Sequence, residues 1–570
     1  MEKTVPVNNG AEAFLELLVA CGVDYIFLNP GTDTCSIQEA VCKFKTLGKP
    51  TPEVVLCLHE SVAMAAAHGY FMVSHKPQVV LVHADLGPQQ VGGALHNAQR
   101  GRIGVVLCSG RVPSSIDKGR MNQIHWLQEQ FDQAGVLRGY VKWEYELRTL
   151  ENIHHVVLRA FQVASSEPYG PVYLCLPQDL LVEKMTNVCI PEVARHKAAA
   201  VGVDNHLLAE IGAILNKAEN PLIISGYAGR HPGSVASLVE LAEGLSARVI
   251  SVPGRMNFPT THPLFSGFDP DPYLTKADVI FMIDLDVPYI PARAKPKPEA
   301  RIIHLDIDPL KSNLPLWDFP VDIPVQANSE SVLPILNQIM RQNATPDQVA
   351  HSRTRLQHIR SAHQKMVKEW NELADDGARQ KPISPDWLCH SLDEILEDNA
   401  IVLGEVVTNA AALWRQLRRT RPGTYFQSGG SNLGWGLGAA LGARLASPDK
   451  TVVLLAGDGS FVFGCPTAAL WAASTYRAPF LCIILNNMQY TAPKLAVKKS
   501  FGEASYSVKT GNWVGTEIRP SPDYAAIARA CLAYGQTVEE PADVKPAIKA
   551  ALEQVRGGRP AVLDVRIKGQ

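Results

Sequence analysis

Gly457-Asp458-Gly459-Ser460, followed at a distance by Leu481-Cys482-Ile483-Ile484-Leu485-Asn486-Asn487, is the stretch on which the reading of this chain turns. Twenty-six residues (460–485) separate the acidic glycine turn from the asparagine pair. The apolar run Thr451–Ala456 predicts a buried parallel strand, Leu481–Leu485 its neighbour, and Thr467–Tyr476 the crossover helix between them. Both polar clusters then fall at the carboxyl ends of adjacent parallel strands, where open α/β sheets bind ligands. Asp458 offers a hard carboxylate and Asn487 a neutral oxygen. With a backbone carbonyl and phosphate oxygens they could complete a Mg2+ shell. Gly457 and Gly459 let the backbone approach a diphosphate closely. Taken alone, Gly-Asp-Gly is equally a tight strand-to-helix connection.

At 570 residues the chain has room for about three or four domains. A hydrophobic content of 46% with 19% charged residues fits a globular protein with large cores. The formal net charge of −2, with no basic run, gives no electrostatic case for nucleic acid or a membrane surface. Met1–Gly10 is polar, no apolar stretch approaches ~18 residues, and Ile567–Gln570 is not a peroxisomal signal; a cytoplasmic location is expected. The eleven cysteines are scattered without a CxxC pair and read as reduced core residues, not as a catalytic thiol.

Apolar runs and helical patterns alternate in three α/β blocks, assigned as domains 1–185, 204–345 and 382–570. The first has strands at Tyr25–Leu28, Val54–Leu58, Val79–His83, Val105–Ser109 and Val172–Leu176. The second has Pro221–Ser225, Arg248–Ser251, Val279–Ile283 and Arg301–Asp306. Glu183–Val203 reads as a linker and the charged Ala350–Lys381 as an exposed helical connector. The third block runs from a helix at Asp386–Glu397 to a strand at Ala561–Ile567. The outer blocks are alike in size and pattern. The fold class is therefore α/β, with three doubly wound parallel-sheet domains.

The Gly457–Asn487 stretch resembles the thiamine diphosphate (ThDP) binding motif, a Gly-Asp-Gly followed by one or two asparagines. The layout resembles the pyruvate-decarboxylase and acetolactate-synthase superfamily of ThDP enzymes, whose domain order is pyrimidine-binding, central, diphosphate-binding. Gly170–Pro177, Phe258–Leu264 and Ile302–Pro309 match it in the right order, so the resemblance spans nearly the whole chain. It implies ThDP and Mg2+ as cofactors, with Asp458, Asn487 and the carbonyl of Gln489 on the metal. Thr408, Asn409 and Ser460 would contact the diphosphate, Leu433 would support the bent cofactor, and the Ser431 carbonyl would face its amino group.

Glu60 follows a predicted strand and precedes an alanine-rich helix, where the macrodipole alone favours an acid. The resemblance implies instead that Glu60 bonds the aminopyrimidine. His83, His262 and Thr32 stand where benzoylformate decarboxylase has two catalytic histidines and a substrate-contacting serine. His-Pro-Leu also occurs in relatives without that role for the histidine. Gln128–Asp132 and Val141–Trp143 resemble the acetolactate-synthase branch. Two departures stand out. Asp284–Tyr289 replaces the glycine–arginine–aspartate segment of flavin-using relatives, which argues against FAD, and Arg111 replaces a glutamine beside the substrate pocket. The expected function is decarboxylation of a 2-oxo acid with possible acyloin carboligation. The alternatives are an acetolactate-synthase-like carboligase that forms a 2-hydroxy-ketone from 2-oxo acids or other carbonyl substrates, and a cofactor-binding protein without activity. In relatives each site is built from two subunits, so a homodimer or homotetramer is expected.

Overall fold

The computed structural model describes residues 3–191 and 201–569; residues 192–200 of the expected linker lie outside it. In the first domain β2 (Tyr25–Leu28), β3 (Glu53–Leu56), β4 (Val79–Val82), β5 (Val106–Arg111), β6 (Glu144–Glu146) and β7 (Val172–Pro177) form a parallel sheet in the order β3-β2-β4-β5-β7-β6. Strands such as Val79-Val80-Leu81-Val82 are buried throughout, because helices cover both faces of the sheet. β1 (Lys3–Pro6) and β8 (Asn187–Ile190) pair as a separate antiparallel ribbon, so the stretch read as a linker contains a strand. β3 ends at Leu56, short of the predicted Leu58, which is 53% exposed.

The central domain holds β9 (Pro221–Ser225), β10 (Arg248–Ser251), β11 (Val279–Ile283), β12 (Arg301–Asp306) and β13 (Ile323–Gln326), in the order β10-β9-β11-β12-β13. The third holds β14 (Ile401–Glu405), β15 (Tyr425–Phe426), β16 (Val452–Gly457), β17 (Leu481–Asn486), β18 (Tyr534–Val538) and β19 (Ala561–Arg566), in the order β15-β14-β16-β17-β19-β18. Counted within each domain, the first and third sheets have the same order: second, first, third, fourth, sixth, fifth strand.

The helices Glu60–Ser74 and Trp435–Ala446 are topological equivalents, each joining the second strand of its domain to the third. They cross each other on a face of small residues. A Cβ on Gly442 would lie 1.8 Å from the Ala66 carbonyl oxygen, and one on Gly69 2.1 Å from that of Ala439. Only glycine permits backbones this close. The contact merges the two domains into one hydrophobic core that includes Phe27, Ala66, Leu403, Trp435 and Leu454.

Buried ion pairs attach the central domain. Arg102 of the first domain grips Asp306 through both carboxylate oxygens, at 2.9 and 3.1 Å, and reaches Asp286 at 2.7 Å. Lys311 completes the cluster, 2.6 Å from Asp306 and 3.0 Å from Asp286. Arg230 adds a second strut, 2.8 Å from Glu167. The segment expected to be an exposed connector is the helix Pro346–Gly377, and it is not simply exposed. Leu356, Ile359, Met366 and Trp370 recur at helical spacing and pack on the central core, and His363 bonds the Phe265 carbonyl at 2.9 Å. Its charged residues occupy the remaining face.

Candidate active site

A cavity of about 270 Å3 opens at the carboxyl ends of β14 and β16. The chain leaves β14 toward β15 on one side of the sheet and returns to β16 on the other, so this is the topological switch point of the sheet. One wall is Val406–Asn409 after β14 and another is Gly457–Ser460 after β16. Asn487 and Gln489–Pro493 follow β17, and Ser431 and Leu433 precede the helix Trp435–Ala446. All the residues predicted for the diphosphate, metal and cofactor hinge therefore line a single space. They are Thr408, Asn409, Ser431, Leu433, Gly457, Asp458, Gly459, Ser460, Asn487 and Gln489.

Asp458 opens the short helix Asp458–Phe463 and is 3% exposed. Its Oδ1 accepts the Gly459 amide at 2.8 Å, while its buried Oδ2 has no hydrogen-bond partner among the described residues. Burial raises its pKa, against the amides of Gly459, Met488 and Gln489. A buried carboxylate oxygen without a donor lacks a positive partner, and a divalent cation supplies one. The asparagine pair divides its roles by strand alternation. Asn486 points away, donating to Asp564 Oδ1 at 2.8 Å and Ser521 Oγ at 3.2 Å. Asn487 faces the cavity, its Oδ1 accepting the Gln489 amide at 3.3 Å. No trio of His, Cys, Asp or Glu side chains among the described residues could hold a metal; here one carboxylate is joined by neutral oxygens. That donor set suits a hard cation sharing its shell with phosphate.

The first domain carries a second cluster. Glu60 starts its helix behind His59, whose Nδ1 accepts the Ser61 amide at 3.2 Å. The Glu60 side chain is half-buried and makes no hydrogen bond or ion pair among the described residues. His83 Nδ1 bonds Asp33, whose other oxygen accepts the Ala84 amide at 3.0 Å. The Gln128 side-chain amide meets His83 Nε2 at 2.8 Å. The bond to Asp33 raises the His83 pKa against the opposing effect of burial, and the charges of Asp33 and Glu60 add to it. The sequence reading named His83 but missed Asp33, its immediate partner, although both lie in turns after apolar strands. Thr32 is exposed beside this cluster, and its carbonyl accepts from Gln178 at 3.4 Å. Arg111 pairs with Glu146.

His262 is not brought to either cluster. It lies 3.2 Å from Glu243, accepts the Leu264 amide at 3.2 Å and packs edge-on against Phe258. Cys465 departs from the expectation of inert core cysteines. It is half-exposed, sits 4.0 Å from Ser61 Oγ, and its hydrogen bond with His59 lowers its pKa.

The three layers each match a family model. Residues 8–136 match the N-terminal thiamine pyrophosphate (TPP) binding domain of thiamine pyrophosphate enzymes, residues 208–336 their central domain, and residues 405–565 their C-terminal TPP binding domain. The chain belongs to the thiamine pyrophosphate enzymes. Among curated relatives, benzoylformate decarboxylase of Pseudomonas aeruginosa is 28% identical, aligned over 84% of this chain and 86% of its own. Acetolactate synthase isozyme 3 large subunit of Escherichia coli is 27% identical over 98% and 95%. The structure resembles a thiamine diphosphate-dependent 4-hydroxybenzoylformate decarboxylase of Rhodococcus jostii, with a TM-score of 0.79, 26% identity and 99% of each chain covered. This ThDP-dependent enzyme is thus of the decarboxylase and acetolactate synthase type. No helix among the described residues is long and apolar enough to cross a membrane.

Proposed function

We propose that this enzyme decarboxylates a 2-oxo acid, using ThDP held through Mg2+, and that it can pass the product fragment to a second carbonyl as an acyloin. Asp458, Asn487 and the Gln489 carbonyl would hold the metal, and Thr408, Asn409 and Ser460 the diphosphate; all line the same cavity. When bound, ThDP supplies the electron sink that lets the bond between carboxylate and carbonyl carbon break. Glu60 would exchange a proton with the aminopyrimidine.

The observation that carries decarboxylation is the Asp33–His83 pair, whose imidazole is near enough to Glu60 for that charge to raise its pKa. A histidine whose proton affinity is raised in this way would be placed to donate the proton that ends a decarboxylation. With Nδ1 committed to Asp33, Nε2 would be the atom that gives it up, with the Gln128 side-chain amide turned to present its oxygen to that N–H. Arg111, tied to Glu146, would contribute charge to the substrate pocket, and Thr32 would contact substrate. FAD is left out of this reading. Three of the cations around the Asp284–Tyr289 segment, Arg102, Arg230 and Lys311, are already paired with Asp284, Asp286 and Asp306.

The residues lining the cavity all come from the third domain, and Glu60 is not among them. The complete site is therefore read as an interface site, with Glu60 and His83 reaching a partner subunit's cavity. Exposed apolar residues near the two halves support this: Leu58 beside Glu60, and Val407 and Phe463 near the cavity. The test is to measure CO2, aldehyde and acyloin from pyruvate and aryl 2-oxo acids with ThDP and Mg2+. Aldehyde with CO2 as the main products, lost in His83→Ala, supports the proposal. Acyloin as the main product, indifferent to His83→Ala, favours the carboligase reading and defeats this one.

A further inference from the structure

Glu405 ends β14, is partly buried and has no charged partner among the described residues, yet its carboxylate is fully engaged. Its Oε1 accepts the backbone amides of Gly434 at 2.6 Å and Trp435 at 3.0 Å, and its Oε2 accepts that of Gly436 at 2.8 Å. These are the first amides of the helix Trp435–Ala446, which has no side-chain cap of its own because Gly434 stands at its N-cap. Gly434 holds φ = +87°, and a Cβ there would lie 2.7 Å from the Phe463 backbone, so no capping side chain fits. The acceptor is supplied instead from a strand 29 residues earlier in the chain.

The placement matters for the cavity. Immediately after Glu405, residues 406–409 form one wall; immediately before Gly434, Leu433 forms another. One side chain thus fixes the spacing of two walls. Burial pushes the Glu405 pKa up to about 7, opposed by the three amides. The buried Cys482 thiol is the titratable neighbour that feels its charge.

We propose that Glu405 is a positioning residue for the cofactor: it holds Leu433 against the wall 406–409, and ThDP affinity depends on its carboxylate. The proposal rests on the reading of this cavity as the ThDP site. A carboxylate is acceptor-only and suits three converging donors, whereas the amide of a glutamine would set its own N–H groups against at least one of them.

The test is ThDP titration of apoprotein in saturating Mg2+, followed by tryptophan fluorescence, for the native protein and Glu405→Gln, alongside thermal melting of each apoprotein. Amide hydrogen exchange of the peptide spanning 431–436 is measured in parallel. The expected result is a ThDP Kd raised about tenfold or more, with faster exchange in that peptide, while the apoprotein still melts cooperatively. A Kd within about twofold of native overturns the proposal. If Glu405→Gln does not melt cooperatively, Glu405→Asp decides. Its shorter arm should weaken ThDP several-fold, and native affinity would overturn the idea. A native protein that binds no ThDP overturns the reading of the cavity as well.

Discussion

If the active site is assembled from two subunits, two inactive variants should restore each other. Glu60→Gln disables the first-domain half and Asp458→Asn the cavity half. In a dimer holding one of each, one site receives both lesions and the other receives neither. Random reassociation makes about half the dimers mixed, each with one intact site of two, so activity should recover to about a quarter of native. The two variants are unfolded or dissociated together in mild denaturant, refolded with ThDP and Mg2+, and assayed for CO2 release from the best substrate. Mixing native with either variant calibrates exchange. The prediction follows from the location of the residues: the cavity lining is wholly third-domain, and Glu60 stands outside it. Activity no greater than the sum of the separately refolded variants, despite proven exchange, would refute the two-subunit site.

Asp33→Asn removes the carboxylate charge that strengthens the bond raising the His83 pKa. In the native protein the protonated acid, and the stability gained from the pair, persist below the unfolded pKa and are lost as pH rises through the higher folded value. The alkaline limb of kcat/KM should therefore move to lower pH in Asp33→Asn; a limb that stays in place contradicts His83 as the proton donor. Arg102→Leu leaves the buried Asp306 and the half-buried Asp286 with Lys311 as their one Lys or Arg partner among the described residues. It should cost about 3–5 kcal/mol and lower the apparent Tm by about 5–10 °C in scanning fluorimetry, and a Tm change under about 1 °C would show the strut to be idle. Gly442→Val would drive side-chain carbon into the Ala66 carbonyl, so soluble yield and Tm should both fall. A protein as stable as native would mean that the helices can part without cost.

Interior strands were legible because burial on both faces demands unbroken apolar runs: Pro221–Ser225, Val279–Ile283 and Arg301–Asp306 are observed with the predicted ends, as is the edge strand Arg248–Ser251, which is itself mostly buried. The strands missed are short or polar and lie at sheet edges, as with Glu144–Glu146, the two-residue Tyr425–Phe426, and Tyr534–Val538 with its Gly-Gln-Thr centre. The amphipathic face of Pro346–Gly377 was obscured by its charges, although Ile359, Met366 and Trp370 carried the periodicity. In the site, residues flanking a glycine turn or a strand end were readable, since local chemistry marks them. Asp33 and Glu405 were not, because each acts on a partner dozens of residues away, His83 and the Gly434–Gly436 amides, and only the fold brings them together. Asn487, and not Asn486, lines the cavity, but the bond from Asn486 to Asp564 that turns it away was invisible in the sequence.

The central claim is that this chain binds ThDP at the Asp458 cavity through a divalent cation. Calorimetric titration of ThDP into apoprotein, with and without Mg2+, on native and Asp458→Asn proteins tests it directly. The account predicts saturable binding that requires Mg2+ in the native protein and falls by about a hundredfold or more in Asp458→Asn, as loss of a charged metal ligand implies. Equal ThDP affinity in the two proteins, or binding indifferent to Mg2+, would contradict it.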